Sequence, residues 1–110
     1  MSPEIIAAAE RTGISAEAYR RLCRLFVEVT APEIEELRGS VLGGCGGAVA
    51  ILAHHIAGGA AGLEFSELAD AAWTLERAAA GGAVAEVMAP LFATLEGHFR
   101  ELRNELASQV

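Results

Sequence analysis

Apolar residues recur at spacings of three and four along most of the chain, as they do in helices with one buried face. Leu22, Phe26 and Val29 form one such stripe, which is expected to face the core, and Leu68 and Leu75 lie on another. No segment alternates apolar and polar residues in the way that a half-buried strand does. The chain is therefore predicted to be all-α.

Helix caps, prolines and glycines divide this pattern into five helices. The expected helices are a short one from Ser2-Pro3 to Gly13, a second from Ser15 through Val41, a third from Ala48 to Gly62, a fourth from Phe65 to Gly81 and a last one through Leu106. The capping box Thr30-Ala31-Pro32-Glu33 predicts that the second helix restarts or kinks there, and Pro90 predicts a kink in the last helix. Because the links are short, consecutive helices should run antiparallel. The predicted fold is one domain over residues 1–110, an antiparallel up-down-up-down four-helix bundle with an additional short N-terminal helix.

Residues 39–63 contain no formal charge, and His54 and His55 lie inside this stretch. Such a segment spans a membrane, forms a buried central helix, or presents a reactive histidine on an apolar surface. Eight of its 25 residues are glycine, and its unbroken part, 48–63, extends for only about 24 Å at 1.5 Å per residue. A hydrocarbon layer is about 30 Å thick, so we do not expect a membrane span.

A helical wheel separates His54 from the apolar stripe of its own helix. That stripe consists of Val49, Ala53, Ile56, Ala60 and Leu63, and His54 points about 140° away from it. The residues around His54 on the wheel are small or apolar: Ala50, Ile51, Ala57, Gly58 and Ala61. Two interpretations remain open, a hydrogen-bonded core histidine or a solvent-accessible nucleophile within a docking patch for a partner.

Charge and histidine spacing narrow the functions that the chain can have. The formal net charge is −7, which argues against binding to nucleic acids or to anionic membranes. The N-terminus lacks the pattern of a signal peptide, so a cytoplasmic protein is expected. Helical metal ligands lie three or four residues apart, whereas His54 and His55 are adjacent. No metal site and no cofactor are therefore predicted, and His98 is interpreted as a helix-edge residue.

The segment Ala53-His54-His55-Ile56-Ala57-Gly58-Gly59-Ala60 resembles the phosphorylation motif of histidine-containing phosphotransfer (HPt) domains. That motif is Ala-His-x-Leu-Lys-Gly followed by small residues. The resemblance continues through Leu75-Glu76, which matches a Leu-Glu pair 21 and 22 residues after the histidine, and through Gly81-Gly82, which matches the turn before the last helix. Two positions depart from the family. Ala57 replaces its lysine, and Glu64 stands where a glycine is common.

The resemblance implies a phosphocarrier of two-component phosphorelays and not an enzyme. His54, rather than His55 or His98, would accept a phosphoryl group from the aspartate of one receiver domain and pass it to another. The partners would be receiver domains of response regulators or hybrid histidine kinases, which bring their own Mg²⁺, and the protein is expected to be a monomer. The missing lysine keeps an alternative open, a non-phosphorylated interaction module that binds a receiver or kinase domain through the same face.

The resemblance also suggests roles for the residues near His54. Glu76 would accept a hydrogen bond from the other ring nitrogen of His54 and fix its tautomer, and the alternative for Glu76 is a solvated surface charge. Gly58 would leave room for the phosphoryl group. The expected seat for the partner consists of Ala50, Ile51, Ala57, Gly58 and Ala61.

Overall fold

The computed structural model describes residues 3–108, apart from the side chain of Glu4. It contains five helices: α1 (Pro3–Thr12), α2 (Ala16–Leu42), α3 (Gly46–Gly62), α4 (Ser66–Ala80) and α5 (Ala85–Ala107). Helices α2 to α5 pack around one core, α1 packs against α2, and no strand occurs within the described residues. The predicted helical bundle with an extra short N-terminal helix is confirmed. None of these helices is long and apolar enough to cross a membrane. Ser2, the expected start of the first helix, lies outside the described residues.

Helices α2 and α5 each continue through their proline, Pro32 and Pro90. One helix boundary differs from the predicted one. Helix α3 begins at Gly46, two residues earlier than expected. A Cβ atom at Gly46 would lie 3.2 Å from the carbonyl oxygen of Ala79, so the absence of a side chain lets the first turn of α3 approach the end of α4.

The end of α3 has a left-handed residue that is not a glycine. Positive φ angles follow α1, α2 and α4 at Gly13, Gly44 and Gly82. After α3 the same role falls to Glu64, with φ of 65°. The amides of Glu64 and Phe65 bond back to the carbonyls of Ala61 and Ala60 at 3.0 and 2.9 Å, which is the Schellman pattern. Glycine adopts this conformation without steric cost, so Glu64 stands at a position where the backbone favours glycine.

A second, smaller core attaches α1 to the bundle. It contains Tyr19 and Cys23 of α2 together with buried residues of α1 and Leu106 of α5. The Tyr19 hydroxyl donates a hydrogen bond to the carbonyl of Leu63, which ties α2 to the end of α3. Burial raises the pKa of the Cys23 thiol to about 11, so this thiol is an inert part of the core.

The structure corrects the predicted core face of α2. Leu22 and Val29 are 44% and 50% exposed, and Phe26 is only partly buried. The buried face of α2 is instead formed by Tyr19, Cys23, Thr30, Ile34, Leu37 and Val41. The two sets are neighbours on the helix surface, and spacing alone does not decide which of them the rest of the bundle covers.

Candidate functional site

The site is centred on the exposed side of α3. The buried side of this helix carries Val49, Ala53, Ile56, Ala57 and Ala60. On the other side, the His54 side chain is 72% exposed to solvent. Of the two interpretations of this helix, the solvent-accessible histidine fits the structure and the buried core histidine does not.

Glu76 of α4 holds the imidazole of His54. Its Oε2 lies 2.8 Å from Nδ1 of His54, and the Glu76 side chain is 27% exposed. A carboxylate can only accept a hydrogen bond, so Nδ1 carries the hydrogen that is shared with it. The neutral ring then keeps its lone pair on Nε2, which is the state that a nucleophilic histidine needs. Glu76 therefore has the contact that an orienting residue requires.

Small and apolar residues surround His54 on the exposed side. Gly58 lies one turn further along α3, and a Cβ atom added there would meet no atom within 4 Å. Ile51 is 73% exposed, Ala61 is exposed and Ala50 is partly buried. No side chain of these residues blocks the approach of a large reactant to His54.

Ala57 does not belong to this exposed surface. We expected it to form part of the partner's seat, but it is 0% exposed and belongs to the main core. It lies one turn after Ala53, which is also 0% exposed, and α3 packs more extensively against α4 than against any other helix. The prediction for Ala57 failed because the wheel showed how far the residue lies from the core stripe, but not how closely α4 approaches.

An apolar groove between α2 and α3 is the part of the site that the sequence did not indicate. We call it the α2–α3 groove, and the residues that line it include Leu22, Leu25, Phe26, Val29 and Glu33 of α2 and His54, His55, Gly58, Gly59 and Gly62 of α3. Large residues of α2 line one side of it, and glycines and histidines of α3 line the other. The sequence signal for it is the apolar stripe of Leu22, Phe26 and Val29, which spacing alone assigns to the core.

His55 has a carboxylate partner as well. Its Nδ1 lies 2.5 Å from Oε2 of Glu33, and its side chain is 67% exposed. His98 is different, since its side chain is 27% exposed and its Nδ1 lies 3.5 Å from Glu67. Among residues 3–108, no three histidine, cysteine or acidic side chains come together in a way that could hold a metal ion.

Comparison with known proteins bears on the family of the chain. The family model of the Hpt domain matches residues 21–108, which is most of the chain. No curated protein and no solved structure matches the chain in the two other comparisons. The chain belongs to the Hpt domain family. Hpt domains are phosphocarriers in phosphorelays, and they interact with receiver domains of two-component systems.

Proposed function

We propose that this protein relays a phosphoryl group between the aspartates of two receiver domains through His54. The observation that carries the proposal is the His54–Glu76 pair, an exposed imidazole whose Nδ1 is held 2.8 Å from a carboxylate. The pair lies within the residues that match the Hpt domain. It combines the two requirements of a phosphoacceptor, an accessible nitrogen and a fixed tautomer.

The transfer step needs little from this chain beyond the nucleophile. The lone pair on Nε2 of His54 attacks the phosphorus of the aspartyl phosphate in line with its acyl oxygen. The N–P bond forms, the acyl O–P bond breaks, and the aspartate of the receiver leaves as a carboxylate. The Glu76 carboxylate offsets the positive charge that the ring acquires. Mg²⁺ for this step belongs to the receiver domain in our proposal, and onward transfer is the reverse reaction with a second receiver.

The α2–α3 groove is the docking surface in this proposal. A partner seated in it would contact His54, because this residue lines the groove together with exposed leucines of α2. Contiguous exposed apolar surface is typical of interaction sites. Ile51 and Ala61 would extend this surface on the far side of His54, whereas Ala57 lies beneath it.

A two-receiver assay tests the relay. The full chain is mixed with one phosphorylated receiver and one unphosphorylated receiver, and transfer between them is followed over time. We expect transfer with the wild type and with His55→Gln, and none with His54→Gln. Mass spectrometry under non-acidic conditions should place a phosphoryl group on His54 of the wild type. If receivers bind the wild type but leave His54 unmodified, the relay is contradicted and the non-phosphorylated interaction module is the better description.

The docking surface has its own matched pair of variants. Leu25 and Leu42 both lie on α2 and are 54% and 75% exposed, but only Leu25 lines the groove. We expect Leu25→Glu to weaken binding of a receiver by about tenfold or more, since the loss of a buried apolar contact at an interface costs more than 1 kcal/mol. Leu42→Glu should have no effect. Equal affinities for both variants would place docking elsewhere.

The variant Gly58→Gln tests whether a partner must come close to His54, without disturbing the fold. Glutamine is a better helix former than glycine and Gly58 faces open space, so the melting temperature should not fall. The longer side chain next to His54 should nevertheless slow transfer. A variant that folds normally and transfers at the wild-type rate would contradict the close approach of the partner at this position.

A further inference from the structure

The environment of His55 repeats that of His54. Each imidazole has its Nδ1 within hydrogen-bond distance of a glutamate that is 22 residues away in the chain. The two side chains are 72% and 67% exposed. The carboxylates come from opposite sides of α3, since Glu76 belongs to α4 and Glu33 to α2. The same local arrangement thus occurs twice on one helix.

The surroundings of the two histidines are alike in a second respect. Each is followed four residues later by an exposed glycine, Gly58 after His54 and Gly59 after His55. Residues four apart are neighbours on the surface of a helix, so neither imidazole has a side chain of its own helix beside it in that direction. The space beside Gly58 is open, whereas the Phe26 ring packs against Gly59. Both histidines line the α2–α3 groove.

The Glu33 carboxylate prepares His55 for the same chemistry. It can only accept a hydrogen bond, so Nδ1 of His55 carries the hydrogen and Nε2 of the neutral ring keeps its lone pair. The Glu33 side chain is only 18% exposed, so it is held more firmly than a carboxylate on a freely moving surface side chain. His98, with a more buried ring and a longer contact of 3.5 Å, lacks this preparation.

We propose that His55 is a second phosphoacceptor of this protein. The lone pair on its Nε2 attacks the phosphorus of an activated phosphoryl donor, the N–P bond forms, and the bond from phosphorus to the leaving group breaks. The leaving group is a carboxylate if the donor is the aspartyl phosphate of a receiver, and ammonia if the donor is phosphoramidate. The proton on Nδ1 stays shared with Glu33, which offsets the charge on the ring. The inference rests on the phosphoryl-transfer chemistry of the proposed function but concerns a different residue.

Site-specific phosphorylation of the full chain tests the inference. Phosphoramidate is the small donor in one arm, and a phosphorylated receiver is the donor in the other. With phosphoramidate we expect His54→Gln to carry one phosphoryl group, located on His55 by mass spectrometry under non-acidic conditions. The double variant His54→Gln/His55→Gln should retain none. Labelling in both arms indicates that a docked receiver reaches His55, and labelling with phosphoramidate alone restricts the site to small donors.

Glu33→Gln distinguishes a prepared site from an ordinary exposed imidazole. Glutamine keeps an oxygen that accepts the hydrogen bond but removes the charge, so labelling of His55 should slow by about tenfold, a typical effect of a residue that orients a reacting group. Glu76→Gln is the matched control and should slow His54 instead. In urea, where neither pair exists, the two histidines should react at equal rates.

Two results would overturn the inference. In the first, the wild type carries a phosphoryl group on His54 and His54→Gln carries none, which leaves the proposed function intact. In the second, Glu33→Gln does not change the rate at His55 and this rate equals that of the urea-unfolded chain, so that the reaction is only that of any free imidazole. If neither histidine is labelled in the folded wild type by either donor, the proposed function and this inference both fail.

Discussion

Helix α3 packs against α4 and α2 in different ways, although small residues lie on both of its sides. On the α4 side, Ala53 and Ala57 are both 0% exposed and share the main core with buried alanines of α4. Towards α2, helix α3 presents Gly59 and Gly62, and there it meets Phe26 and the exposed leucines that line the α2–α3 groove. One side is a closed interface and the other is an open one.

The difference shows that a run of small residues on one helix does not by itself predict a closed interface. The residues of the facing helix decide whether the interface closes. Where small residues face small residues, two helices come close and the interface is filled. Where small residues of one helix face large residues of another, the large side chains hold the two helices apart, and a groove remains between them. The histidines lie at the borders of these two regions, and each takes its carboxylate from the helix on its own side.

The largest effect is expected from filling the closed side. Ala53→Leu adds three carbon atoms at a position that is 0% exposed, and overpacking of a core costs about 1–3 kcal/mol or more of the free energy of unfolding. Ala61→Leu, on the exposed side of the same helix, should change it by less than about 0.5 kcal/mol. Urea denaturation of both variants gives the comparison. Similar midpoints would mean that the interface between α3 and α4 has room to spare.

A smaller loss is expected when the family's lysine is introduced into that interface. Ala57 is fully buried, so Ala57→Lys must pass its aliphatic stem between α3 and α4 to bring the ammonium group to water. We expect a loss of about 1 kcal/mol, at the lower end of the range for overpacking. Ala61→Lys is the control and should be neutral. An unchanged stability of Ala57→Lys would show that this position opens to solvent easily and was correctly assigned to the surface.

The contrast between Ala57 and Leu22 explains how much could be predicted from the sequence. The five helices, His54 and its carboxylate followed from caps, periodicity and the family motif, all of which are local or fixed in register. The burial of Ala57 and the exposure of Leu22 depend on how far apart α3 stands from α4 and from α2. That distance is set by the side chains of two helices together, and a wheel drawn for one helix does not contain it.

A substitution at Glu64, in the link between α3 and α4, is expected to raise the stability. Glu64 has a positive φ of 65°, which costs a residue with a side chain about 1 kcal/mol relative to glycine. Glu64→Gly should therefore raise the free energy of unfolding, although it also removes the ion pair with Arg11, an exposed contact worth at most about 1 kcal/mol. Glu64→Ala isolates the backbone effect, because it loses the same ion pair and keeps the strain.

We expect Glu64→Gly to be about 1 kcal/mol more stable than Glu64→Ala in urea denaturation. If the alanine variant is as stable as the glycine variant, the positive φ at this position carries no cost. The departure from the family's glycine would then be neutral for the fold.

The smallest effect is the expected difference in stability between alanine substitutions at two adjacent glycines, Gly58 and Gly59, on the open side of α3. In the interior of a helix, alanine is more favourable than glycine by about 0.5–1 kcal/mol. Gly58→Ala should show this gain in full, since its new Cβ atom would meet nothing within 4 Å. At Gly59 the Cβ atom would lie 2.9 Å from Cε1 of Phe26, so the ring has to move and part of the gain is lost. Gly59→Ala should therefore be less stable than Gly58→Ala in thermal and urea denaturation. Equal gains in stability would mean that the Phe26 side chain moves at no cost. The groove would then change shape when a partner binds and would not be preformed.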